Sequence, residues 1–187
     1  MKKLFLLLFS LVAFSSFAQV DFRLKSDGNF LTLLGEDYVV VPYEGKSAHE
    51  IFNMLKANIA AVFNDASKVT NSVDDTYIKV RGFASHGKIF PYITIMKLSV
   101  EGFYDLEFKI KDGRVRVSAP YIEEEATMVG GTAPIAVSYR GMLQKHIFES
   151  NGSIKKKRVK DVPKIEAYIN GILNSILLER EKIEDDW

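Results

Sequence analysis

The chain has 187 residues, 47% of them hydrophobic and 26% charged, with 25 basic and 24 acidic side chains. That near-neutral balance argues against a dedicated nucleic-acid binder, which carries a basic excess. There is no cysteine, which excludes disulfides, thiolate zinc centres, a cysteine nucleophile and a lipid-anchoring cysteine.

Lys2 and Lys3 precede an apolar run from Leu4 to Phe14. The run is too short to span a bilayer as a helix, which needs about 20 residues. Ser15-Ser16-Phe17-Ala18 then places small residues at positions −3 and −1 of a cut after Ala18. The pattern predicts a secretory signal peptide over residues 1–18. Cleavage leaves 169 residues with a net charge of −1, a length that suits one domain over residues 19–187. No later apolar run is long enough for a transmembrane helix. The expected location is the periplasm or the exterior, without a lipid anchor.

Asp27-Gly28 is a turn candidate and Phe30 to Leu34 a short strand. "YVVVPY", Tyr38 to Tyr43, is β-branched and ends at a proline, as a strand does. Ser47 and Glu50 form an S-x-x-E capping box ahead of Ile51, Phe52, Leu55, Ile59, Val62 and Phe63, which recur at helical spacing. From Lys68 to Ile122 the period becomes two. "KVTNSV" and "TYIKVRGF" flank a turn at Asp74-Asp75. Ile78 and Val80 point one way, and Tyr77, Lys79 and Arg81 the other. Tyr92 to Val100 is an interior strand, with a turn at Glu101-Gly102.

"LEFKIKDGRVRVSA", Leu106 to Ala119, is a hairpin on Asp112-Gly113. A two-residue loop fixes its register, pairing 111 with 114, 110 with 115 and 109 with 116. Leu106, Phe108, Ile110, Val115, Val117 and Ala119 then share the core face. Glu107, Lys109, Lys111, Arg114 and Arg116 share the outer one. Like charges placed directly opposite destabilise a strand pair, so this face asks for an explanation.

Residues 123–160 form an irregular, insertion-like segment, with Glu123-Glu124-Glu125 as an acidic loop and a turn at Asn151-Gly152. Asp161 and Pro163 start a last helix. Its stripe is Ile165, Tyr168, Ile169, Ile172, Leu173, Ile176, Leu177 and Ile183. Glu166, Asn170 and Asn174 take other positions. Gly171 costs about 1 kcal/mol relative to alanine and is expected to permit close packing on the sheet.

These elements predict an α+β fold. It is a curved antiparallel sheet of five to six strands in β-α-β(4)-α order, with two helices packed on one face. The stretches "VVVPYEGKSAHEIFNML", "DDTYIKVRGF", "YDLEFKIKDGRVRVSAPYI" and "INGILNSIL" carry a resemblance. With the signal peptide, the chain resembles an exported bacterial domain-of-unknown-function family described as having a TATA-binding-protein-like (TBP-like) fold. The most specific matches are "P-x-x-G-K-S" before the first helix and "K-D-G-R-x-R" at the hairpin. The resemblance implies the same β-α-β(4)-α order. It implies no activity, and a fold name alone carries no DNA-binding function.

Catalytic and metal motifs are weak. His49, His86 and His146 make no i, i+3 or i+4 pair, so no metal or cofactor is expected. Adjacent carboxylates at 123–125 point to opposite faces of a strand, and no calcium loop surrounds them. "EGKSAHE" lacks the first glycine of a phosphate loop, and helix capping explains it. There is no G-x-S-x-G elbow. Asp105 and Glu107 show no glycosidase-like arrangement. Lys155 to Arg158 with Lys160 is a basic cluster, read either as a solvated loop or as a contact for anionic lipid or glycan.

The expected function is a non-enzymatic exported binding module. Its contact surface is the outer sheet face, with Lys109, Lys111, Arg114 and Arg116 at its centre and Lys79 and Arg81 extending it. The partner is an anionic envelope molecule or a protein, and no nucleic acid. The alternatives are an envelope hydrolase with a site near 123–160, or a structural subunit using a sheet edge or apolar patch.

Overall fold

The computed structural model describes residues 19–84, 98–128, 137–138, 145 and 147–179. Residues 1–18, where a signal peptide is expected, Tyr92 to Lys97 of the expected interior strand, His86, His146 and Ile183 lie outside the described residues.

The core is a sheet with two helices on one face. Short strands β1 (Arg23–Leu24) and β2 (Phe30–Leu31) pair with each other. Then come β3 (Tyr38–Pro42), α1 (Ala48–Val62), the single turn α2 (Ala66–Val69), β4 (Thr70–Val73) and β5 (Tyr77–Ala84). They are followed by β6 (Leu98–Lys111), β7 (Arg114–Ser118), β8 (Tyr121–Met128), β9 (Val137–Ser138) and α3 (Val162–Leu177). The main sheet runs β3-β7-β6-β5-β4, with β8 also on β6 and β9 on β8. Every pairing is antiparallel. The α+β architecture is therefore the one the sequence predicts.

Two expected breaks in the strands are corrected. Glu101-Gly102 is not a turn, because β6 runs straight through it and Gly102 sits opposite both Ala84 and Glu124. A glycine between two paired neighbours stays extended, and Gly102 has no positive φ. Glu123-Glu124-Glu125 is not a loop either, since all three lie on β8, opposite Phe103, Gly102 and Glu101.

The hairpin register is as predicted, with Lys111 opposite Arg114, Ile110 opposite Val115 and Lys109 opposite Arg116. Beyond it the register slips by one residue, because Phe108 faces Val117 but Asp105 faces Tyr121. β7 and β8 are thus one strand interrupted by a bulge at Ala119-Pro120. The Ala119 N–H donates to the Asp37 carbonyl at 2.7 Å, carrying the β3–β7 register one step past Tyr38 and Ser118. The extra residue restores Ile122 to the core side beside Tyr104, as a bulge must when proline interrupts alternation.

Val41, Ile78, Val80, Tyr104, Leu106, Phe108, Ile110, Val115 and Val117 form the sheet side of the core. Ile51, Phe52, Leu55 and Ile59 of α1 and Ile165, Ile169, Leu173 and Ile176 of α3 cover it. The Ser47–Glu50 capping box forms as read. The Tyr43 hydroxyl donates to the Leu177 carbonyl at 2.6 Å and Asn58 donates to the Ile176 carbonyl at 2.8 Å, tying β3 and α1 to the end of α3.

The two motifs that carry the family resemblance clasp each other. Tyr43 N–H donates to the Gly113 carbonyl at 2.8 Å and Gly113 N–H to the Lys46 carbonyl at 2.8 Å. Asp112 Oδ1 accepts from Ala48 N–H at 2.7 Å, capping α1 from the hairpin turn. Gly45 and Gly113 hold φ of 77° and 72°, values open to glycine. These motifs therefore position the hairpin against α1.

Gly171 is not packed on the sheet, since it is exposed and a Cβ there would meet nothing within 4 Å. The close approach is at Gly82, where a Cβ would lie 2.1 Å from the Tyr104 ring.

Candidate functional site: the outer sheet face

Strand alternation puts Lys79 and Arg81 of β5, Lys109 and Lys111 of β6, and Arg114 and Arg116 of β7 on the face away from the helices. Their neighbours Ile78, Val80, Phe108, Ile110, Val115 and Val117 are buried. Lys79 and Arg81 are half-buried and exposed respectively, and the other four are exposed. All six predicted residues thus share one face, but they fall into two electrostatic groups.

In the first group the cations are neutralised. Lys79 lies 2.9 Å from Asp105 and 3.6 Å from Glu107. Arg81 lies 3.2 Å from Asp105 and also pairs with Glu123. Register explains this chain, since Lys79 sits opposite Glu107, Arg81 opposite Asp105, and Asp105 opposite Tyr121 two residues before Glu123. The bond to Asp105 raises the Lys79 pKa above its ordinary value, and that to Glu123 raises Arg81. Arg81 also lies over the Phe103 ring at 4.6 Å, and Phe103 meets Phe83 edge to face at 5.3 Å.

The second group has no such relief. Among the described residues, Lys109, Lys111, Arg114 and Arg116 make no ion pair. Arg116 turns its guanidinium over the Tyr38 ring at 4.0 Å, a cation–π contact that draws it toward β3. Lys109 is flanked by Tyr77 on β5 and Arg116 on β7. Val40, 46% exposed, faces Arg116 from β3. The arrangement is four cations bordered by tyrosine and valine.

Sequence reasoning missed the carboxylate chain that neutralises Lys79 and Arg81. It was within reach: pairing β5 with β6 in the observed register places 79 against 107 and 81 against 105. The other missed feature is on α3. Glu166 and Asn170 are buried and Asn174 is half-buried. They bind the segment Val20 to Leu24, with Asn174 joined to Val20, Asn170 to Phe22 and Glu166 to Leu24 through backbone groups at 2.9–3.0 Å.

The irregular segment holds an open polar depression lined by Ser26, Lys145, Glu149, Ser150, Asn151 and Lys155. It brings one carboxylate together with two lysines. Among the described residues no group of three histidine or acidic side chains could hold a metal. His49 pairs with Asp75 at 3.0 Å and contacts Asn53 at 2.9 Å, all at the surface.

The fold is an α+β domain, an antiparallel sheet with two helices covering one face. No family model matches the chain, and neither does any curated protein. Among solved structures the chain is similar to a TBP-like protein from Parabacteroides distasonis, at 14% identity and a TM-score of 0.48 over 76% of this chain and 92% of that one. It is also similar to a DUF4468 family protein from Bacteroides ovatus, at 9% identity and a TM-score of 0.46 over 78% of this chain and 86% of that one. Neither name includes a ligand, a substrate or a partner.

Proposed function

We propose that this protein is an exported, non-enzymatic binding module whose outer sheet face takes an anionic envelope molecule or the acidic face of a protein partner. One contrast carries the reading. Each cation in one half of the face, Lys79 and Arg81, has carboxylates beside it. The other half sets Lys109 opposite Arg116 and Lys111 opposite Arg114, and none of the four makes an ion pair among the described residues. Like charges placed opposite each other cost stability, so the second half gains most from an external anion. Two positions along a strand span about 6.8 Å, which spaces the two cation pairs for successive charges on a polymer. Tyr38, Tyr77 and Val40 supply contact area around them.

The test is titration with two soluble probes, an oligogalacturonate and a phosphorylated oligosaccharide, against wild type and the variant Lys109→Glu/Arg116→Glu. The proposal expects binding that weakens with salt and is abolished in the variant. Unchanged affinity in the variant would overturn it.

A further inference from the structure

The basic cluster ahead of α3 is not used by the outer face. It is built into a pinned loop. Phe148 and Ile154 form an antiparallel bridge around the Asn151-Gly152 turn. Glu149 N–H donates to the Ser153 carbonyl and Lys155 N–H to the Ile147 carbonyl, each at 2.8 Å. Lys156–Arg158 then make a turn of 3-10 helix, closed by Arg158 N–H to the Lys155 carbonyl at 2.7 Å. Five of the chain's 25 basic residues fall between positions 155 and 160, and none of its 24 acidic ones.

Two of these cations are occupied. Arg158 pairs with Asp161 at 3.2 Å, and the Lys155 ammonium donates to the Lys145 carbonyl. Lys156, Lys157 and Lys160 are exposed and, among the described residues, have no acidic partner. Exposed aliphatic side chains lie among them, Ile154 at 38% and Val159 at 54%. The site is also a poor one for cations in isolation. It adjoins the N-terminal, positive end of the α3 dipole, and the Asp161 side chain makes no capping bond to the helix.

We propose that this loop is a docking surface for an anionic lipid bilayer. Lysines supply attraction to charged headgroups, and Ile154 and Val159 enter the headgroup–acyl boundary. A hydrated anionic polymer would satisfy the lysines but offer nothing to the two aliphatic side chains, and that favours lipid. The loop leads directly into α3, in the helix layer, whereas the Lys109–Arg116 quartet lies on the opposite face of the sheet. Docking through the loop leaves the outer face free for its own ligand.

The experiment is co-sedimentation of the chain from residue 19, which carries every element described above, with two kinds of vesicle. One is phosphatidylcholine alone and the other contains phosphatidylglycerol as well. Binding is expected only with phosphatidylglycerol and weakens with salt. Each lysine near an anionic surface contributes about 1 kcal/mol, about fivefold. The variant Lys156→Ser/Lys157→Ser/Lys160→Ser should therefore partition about a hundredfold more weakly. Ile154→Ser/Val159→Ser should lose vesicle binding while keeping its retention on dextran sulfate, whereas Lys109→Glu/Arg116→Glu should bind vesicles as wild type does. The proposal is overturned by equal binding to both vesicles, by binding to neither, or by an unaffected triple variant. It is equally overturned if the aliphatic variant binds vesicles normally, which would make the loop a polyanion site.

Discussion

Gly82 and Gly171 carry opposite expectations. Gly82 lies under the Tyr104 ring, which is 2% exposed and meets Tyr168 edge to face at 6.2 Å. A methyl group there must displace a fixed aromatic, so Gly82→Ala should destabilise by about 1–3 kcal/mol in urea denaturation. Gly171 is exposed in the middle of α3, and Gly171→Ala should stabilise by about 0.4–1 kcal/mol in the same measurement. The sequence draws attention to the wrong glycine. A glycine inside a helical pattern invites a packing explanation, whereas the partner of Gly82 is a tyrosine on another strand, and periodicity says nothing about which strands meet.

Among elements, the hairpin, α1 and the start of α3 were readable because their signals are local: a two-residue turn, a capping box, a proline in the first turn. The attachment of Val20 to Leu24 to α3 was not, because Phe22 and Asn170 are 148 residues apart. Its trace is still visible afterwards. Val20, Phe22 and Leu24 recur every second residue, and Glu166, Asn170 and Asn174 every fourth. These periods advance about 6.8 Å along a strand and about 6 Å along a helix. Asn170 uses both ends of its amide, accepting from Phe22 N–H at 3.0 Å and donating to its carbonyl at 2.9 Å. Asn170→Ala leaves two buried backbone groups without partners, each costing about 1–3 kcal/mol. Amide exchange at Phe22 should accelerate more than at Leu106 in the sheet, and equal rates would contradict the assignment. Asp112→Ala removes the hairpin's cap on α1 and should cost about 1 kcal/mol, read as a lower melting temperature.

For the whole molecule, burial governs the response to base. Tyr43 and Tyr104 are each 2% exposed, and desolvation raises both phenols above their ordinary 10.0. Below pH 10 these groups are protonated in both folded and unfolded chains and contribute no slope. Above it the unfolded chain ionises first, so stability falls as pH rises. The urea midpoint should decline above pH 10, and less steeply in Tyr104→Phe. The outer face is organised at this level too, since its charges come from four strands, β5 to β8, and their balance depends on register across all of them. The sequence placed the six cations on one face but did not separate the neutralised pair from the quartet, because that separation needs the register of β5 and β8 on β6, which no local signal fixes. The most direct measurement is amide chemical-shift mapping during titration with the oligogalacturonate. The account predicts perturbations concentrated at residues 109–116 and at Tyr38, Val40 and Tyr77, with little change around Glu123. Perturbations centred instead on the depression at Ser26, Glu149 and Lys155 would contradict it.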